Sequence, residues 1–158
     1  MVFGIGNDII TDDAIGPKLT KRLKKNLNLP DIDYETAFVG GLDILEYIKN
    51  YKKVIFIDAI KTKNGIPGDV YQFSVDNFNE THNLSNIHDI SFLTALKLGE
   101  EIGYTMPEEI QIIAIEIKVD MVYSDSFSPE IESRYDEIYS KVKNHLIECI
   151  SGITDNLR

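Results

Sequence analysis

Three residues of the 158-residue chain, Asp13, Asp58 and His88, have the right types to hold a divalent metal ion. Asp13 follows the first strand-like run and opens the first helical segment. Asp58 is the first polar residue after the apolar run Val54-Ile55-Phe56-Ile57, and His88 stands just before a third helical segment. In an open α/β sheet, the loops beyond the carboxyl ends of the strands share one rim, and ligands bind there. Two carboxylates and an imidazole form a mixed oxygen and nitrogen donor set that suits zinc, nickel, cobalt or manganese. Each residue also has a plainer use. Asp12 or Asp13 would serve as a helix cap, Asp58 as a turn-closing side chain, and His88 as a cap or surface histidine. His82, in a polar loop, and His145, on the last helix, are weaker candidates.

Other chemistries fit less well. Gly4-Ile5-Gly6-Asn7 offers a glycine-rich turn between strand and helix, but the third glycine of a dinucleotide fingerprint would fall at Ile9. Asp12 and Asp13 also put negative charge where a pyrophosphate would need the helix N-terminus. No G-x-S-x-G nucleophile elbow is present. The single cysteine, Cys149, falls on the core-facing side of the last helix, where thiols are usually inert.

The elements that must position these residues alternate. Val2–Ile5 reads as a buried strand. Ile15, Leu19, Leu23 and Leu27 recur every four residues and mark one face of a helix from Ala14 to Leu27, with Pro17 in its first turn. Asp33–Val39 reads as a second strand broken by Gly40-Gly41. Leu42, Leu45 and Ile48 then share one side of a short helix. Val54–Ile57 is a central strand buried on both faces. The polar loop Lys61–Gly68 is too short for a helical crossover, so the strand at Val70–Phe73 should run antiparallel. Asn77–Asn86 reads as an irregular loop, Asp89–Ile102 as a helix, and Ile110–Ile117 as a strand. The last helix starts at Ser128-Pro129 and carries Ile131, Tyr135, Ile138, Val142, Leu146 and Ile150. This order predicts one α/β domain over residues 1–158: a three-layer α/β/α sandwich with a twisted, mainly parallel sheet of five strands. Residues 151–158 are expected to form a frayed tail.

With Lys+Arg at 16 and Asp+Glu at 26, the net charge is −10. That disfavours nucleic acid and anionic membrane as partners. One cysteine excludes a disulfide framework or a cysteine-rich metal site. No apolar run approaches a membrane span and no basic-then-apolar leader is present, so a cytoplasmic protein is expected. The first helix, with Lys18, Lys21, Arg22, Lys24 and Lys25, is locally basic and reads first as a solvated face.

Taken in order, the motifs resemble those of the hydrogenase maturation proteases. Gly4-Ile5-Gly6-Asn7-Asp8-Ile9-Ile10-Thr11-Asp12-Asp13-Ala14-Ile15-Gly16 is similar to the family's glycine–asparagine turn, acidic pair and helix glycine. Gly40-Gly41, Ile57-Asp58-Ala59, His88 with the apolar helix after it, and Phe127-Ser128-Pro129 follow in the family's order. The resemblance implies an endopeptidase that removes a short C-terminal peptide from a nickel-loaded nickel–iron hydrogenase large-subunit precursor. Asp13, Asp58 and His88 would contact nickel supplied by that precursor and serve as the catalytic residues. Either Asp58 or Asp13 would act as base for the attacking water. The precursor is then the partner, and the protease is expected to be a monomer. Val39 and Leu42 depart from the residues the family usually has around its glycine pair, and Ala114–Asp120 lacks its glycine–x–x–proline segment. Two other classes remain as alternatives, the first of which would use the same three ligands. One is a non-catalytic nickel-binding or precursor-holding maturation chaperone; the other is a flavodoxin-like domain that binds a small molecule.

Overall fold

The computed structural model describes residues 1–39, 41–75 and 87–152, with side chains in the last stretch from residue 93 onward. The chain runs β1 (Val2–Ile5), α1 (Ile15–Leu27) and β2 (Tyr34–Ala37). A 3-10 turn (Gly41–Asp43) leads into α2 (Ile44–Ile48), followed by β3 (Lys53–Ile60) and β4 (Val70–Ser74). The chain ends with α3 (Ile87–Glu101), β5 (Glu109–Glu116) and α4 (Pro129–Ser151). The five strands form one sheet in the order β2-β1-β3-β5-β4. β1 pairs in parallel with β2 and β3, and β3 with β5. β4 is antiparallel to β5, with Val70 opposite Ile115. The short loop after β3 leaves no room for a helix to carry the chain back, so β4 enters the sheet in the opposite sense.

Alternation along the strands builds two cores, one on each face. Val2, Ile55, Ile57, Ile113 and Ile115 point to the side covered by α1 and α4, where Ile15, Leu19, Leu23, Ile131, Ile138, Val142, Leu146 and Cys149 are buried. Phe3, Val54, Phe56, Ile112 and Ala114 face the other side, packed by Ile44 and Ile48 of α2 and by Leu96 of α3. Helices therefore cover both faces, as the alternating pattern required.

Four expectations need correction. Asp58 lies inside β3, opposite Ala114 of β5, rather than after the strand. β2 is shorter than Asp33–Val39 because β1, its partner among the described residues, supplies four residues. Leu42 is 55% exposed, unlike buried Leu45 and Ile48. It sits in the 3-10 turn, whose three residues per turn rotate it off the face that α2 buries. Ile150 is 41% exposed because it sits at the margin of the helix face that Val142 and Cys149 bury, about 100° round α4 from Cys149. The expected loop at 77–86 lies outside the described residues, as do Gly40 and the tail from 153. No helix among the described residues is long and apolar enough to cross a membrane.

Candidate active site at the carboxyl ends of β1 and β3

The first turn of α1 rests directly on the ends of two strands. A Cβ added to Gly16 would lie 2.4 Å from the carbonyl oxygen of Ile5 and 2.5 Å from that of Ile57. Only glycine permits this approach. It fixes where the neighbours of Gly16 fall: Asp13 lies just before α1, at the rim above β1, and Asp58 follows Ile57 in β3. The backbone positions of Asp13 and Asp58, 45 positions apart in the chain, therefore lie at one edge of the sheet.

Local contacts hold each of them. Gly6 has φ +144°, and a Cβ there would lie 2.1 Å from the Asp13 carbonyl oxygen. The turn after β1 is thus folded tightly onto Asp13. The Asn7 backbone N–H donates to Asp13 Oδ2 at 2.6 Å. The Asn7 side chain accepts from the Ile9 N–H at 3.2 Å, which closes the turn. β3 continues three residues beyond its pairing with β1, so Asp58 stands at the edge where β1 has ended. Its Oδ1 accepts from the Ala59 N–H at 2.7 Å. Both aspartates are half-buried.

His88 falls in the first turn of α3, one residue inside the helix rather than before it, and its side chain lies outside the described residues. The topology still gives α3 its direction. The connection from α3 to β5 is pinned at the amino ends of the strands by Asn50 N–H to Thr105 O and Glu108 N–H to Lys52 O. A helix of 15 residues spans roughly 22 Å. The start of α3 therefore reaches back toward the carboxyl rim. Among the described residues, which exclude the imidazole of His88, no group of three or more His, Cys, Asp or Glu is gathered as a metal site. His82 is also outside the described residues. His145 is occupied elsewhere, with Nδ1 2.9 Å from Gln72 Oε1.

Neither Asp12 nor Asp13 caps α1. The residue before the helix is Ala14, which makes no side-chain cap bond. Asp12 instead is fully buried, at 0% exposure, and accepts four hydrogen bonds from the far end of the chain. Oδ1 takes the Ser128 N–H at 2.7 Å. Oδ2 takes the N–H of Lys118 at 3.2 Å, the N–H of Val119 at 2.9 Å and the Ser128 hydroxyl at 2.8 Å. Sequence alone cannot separate the two adjacent acids. Ser128 before Pro129 reads in sequence as an ordinary helix cap, yet in the structure its hydroxyl makes no cap bond and donates to Asp12 instead. A second buried acid, Glu116, is 1% exposed and accepts from the Thr62 N–H at 2.6 Å and hydroxyl at 3.0 Å. It clips the loop after β3 to the end of β5.

The cysteine does not supply a nucleophile at this rim. Cys149 is 5% exposed in the α1–α4 core, and burial raises its thiol pKa.

With this geometry in hand, comparison with known proteins is decisive. A family model described as hydrogenase maturation protease matches residues 17–145. The chain belongs to the hydrogenase maturation protease family. The match begins after the opening motif Gly4–Gly16, and Asp58 and His88 fall within the matched span. The hydrogenase 2 maturation protease of Escherichia coli (strain K12) is 33% identical over 69 residues, which is 43% of this chain and 42% of that protein. The fold is shared with the E. coli hydrogenase maturating endopeptidase HybD, with TM-score 0.72 and 23% identity over 94% of this chain and 91% of that one. It is also shared with the [NiFe] hydrogenase maturation protease HybD from Thermococcus kodakarensis, with TM-score 0.67 and 20% identity over 90% and 95% of the two chains. Of the positions that depart from the family pattern, Leu42 is exposed in the 3-10 turn, Val39 is half-buried against the second core, and residues 114–117 are buried in and just after β5 rather than in an exposed loop. Separately, Phe38, Leu42, Met121, Val122 and Tyr123 all have exposed side chains.

Proposed function

We propose that this protein is an endopeptidase that removes a short C-terminal peptide from a nickel-loaded hydrogenase large-subunit precursor. Family membership supports the reaction class. The observation that carries the reading is the seating of Gly16 on the carbonyl oxygens of Ile5 and Ile57, which brings Asp13 and Asp58 to one rim. The nickel is the precursor's own cargo. Asp13, Asp58 and His88 would offer it two oxygen donors and one nitrogen, leaving its other positions to the precursor. A divalent ion so held would polarise the scissile carbonyl.

The acid–base work falls to the carboxylates. One of the pair takes a proton from water as the water oxygen adds to the scissile carbonyl carbon. The C–N bond then breaks, and the same proton passes to the leaving amine. The products are a precursor with a new C-terminal carboxylate and a free peptide. The other carboxylate serves only as a donor to the ion. A net charge of −10 steers docking toward a neutral or basic patch of the precursor.

Incubation with nickel-loaded and nickel-free precursor, read by mass spectrometry, tests this. Loss of mass at the precursor C-terminus only with nickel supports the endopeptidase; a stable complex that is never cut favours a holding module. Single replacement of Asp13, Asp58 or His88 should abolish cleavage at unchanged melting temperature. Normal processing by all three variants would refute the site.

A further inference from the structure

We infer that Asp12, which caps no helix and lies outside the proposed donor set, is the positioning residue that fixes Asp13 for the reaction; this rests on the function proposed above. The carboxylate is fully buried, and the four hydrogen bonds it accepts come from neutral N–H and O–H groups. Its four donors come from Lys118, Val119 and Ser128, more than 100 positions away in the chain. An ionised carboxylate is acceptor-only and offers about four lone-pair sites, so the set of donors matches it fully. An asparagine has one acceptor oxygen and an NH2 group, so whichever way it is turned an N–H faces a donor.

The consequence reaches Asp13 through the backbone. On one side, Asp13 is held by the Asn7 N–H on Oδ2 and by the close fit of Gly6 against its carbonyl. On the other side it is joined to Asp12, whose carboxylate ties the loop to the connection between β5 and α4. Main-chain bonds from Thr11 N–H to Val122 O, at 2.9 Å, and from Asp12 N–H to Val119 O, at 3.3 Å, run alongside. A further main-chain bond, from Ser124 N–H to Ile9 O at 3.1 Å, ties the same loop to residues 119–124, and the Asp12 carboxylate adds the side-chain anchor immediately before Asp13. The buried carboxylate sets its depth. Catalytic side chains must be held to within about 0.5 Å, and groups that orient ion-binding side chains typically change affinity or activity by about 10–100-fold when lost.

The test is Asp12→Asn, with Ser128→Ala as a milder change and Leu146→Ala as a core variant that destabilises without touching the rim. Each is assayed on nickel-loaded precursor at a temperature where circular dichroism shows it folded. The expected result is a kcat lower by about 10–100-fold for Asp12→Asn, a loss of roughly fivefold for Ser128→Ala, which removes one neutral donor, and wild-type kcat for Leu146→Ala. Amide exchange at Asn7, whose N–H is bonded to Asp13, should speed up in Asp12→Asn and stay unchanged in Leu146→Ala. Wild-type cleavage by Asp12→Asn, an equal loss in Leu146→Ala, or unchanged exchange at Asn7 would each overturn the assignment. If the wild-type protein fails to cut any precursor, the proposed function falls, while exchange at Asn7 still decides whether Asp12 holds Asp13.

Discussion

Replacing Gly16 by alanine should separate activity from stability. The added methyl would sit 2.4 Å from Ile5 O and 2.5 Å from Ile57 O, roughly 1 Å short of the 3.4 Å of an ordinary contact. Both oxygens are strand backbone, so α1 must lift instead. Overpacking of this kind costs about 1–3 kcal/mol. Alanine returns about 1 kcal/mol of helix propensity over glycine. The net loss is about 0–2 kcal/mol, which for a chain of this size lowers the melting temperature by less than about 8 °C. Lifting α1 by about 1 Å also carries Asp13 away from Asp58, and a misplacement of that size can cost roughly 100-fold in rate. Thermal melting by circular dichroism, paired with single-turnover cleavage of nickel-loaded precursor at 25 °C, should therefore show a folded protein that has lost most of its activity. Full cleavage by Gly16→Ala would mean that the seating of α1 does not set the relation of the two aspartates.

Gly65→Ala should lower the melting temperature. The new Cβ would lie 2.0–2.3 Å from the Glu116 carboxyl atoms, and that side chain is buried and held by Thr62, so it cannot swing away; a cost of about 1–3 kcal/mol follows, read by urea unfolding. Burial raises the Cys149 pKa, so the thiol should resist a disulfide reagent at pH 8 and react only at the rate of global unfolding; fast labelling of the native protein would contradict its placement. Glu137 is held at about 2 by hydrogen bonds from Arg134 and Lys141. Its ionised form therefore contributes stability above the unfolded value of 4.5, and that contribution is lost as pH falls toward about 2. Glu137→Gln should flatten the acid limb of the stability curve in that window by a small amount, because the group is exposed.

The sequence carried the fold through patterns that tertiary contacts could only confirm. Ile15, Leu19 and Leu23 mark the buried face of α1 by spacing alone, and Val54–Ile57 marks a strand buried on both faces. The direction of β4 was readable because chain length limits a crossover. Spacing failed where a residue's surroundings come from elsewhere in the chain. Leu42 lost its place in the helix face to a 3-10 turn, and Ile150 is left at the margin of the face that α4 buries through Val142 and Cys149.

The candidate site divides in the same way. Residue type and order marked Asp13 and Asp58 as rim acids, since both follow apolar strand runs in a parallel topology. Only the folded chain decided that Asp58 stands within β3, beyond the end of β1. Only the folded chain, too, gave the adjacent acids Asp12 and Asp13 different surroundings, one caged by four donors and the other set at the rim. Local sequence specifies which groups a residue carries and how the backbone near it turns. The donors that meet a carboxylate come from whatever segment packs against it, here residues 118–128, and no pattern near position 12 encodes their arrival.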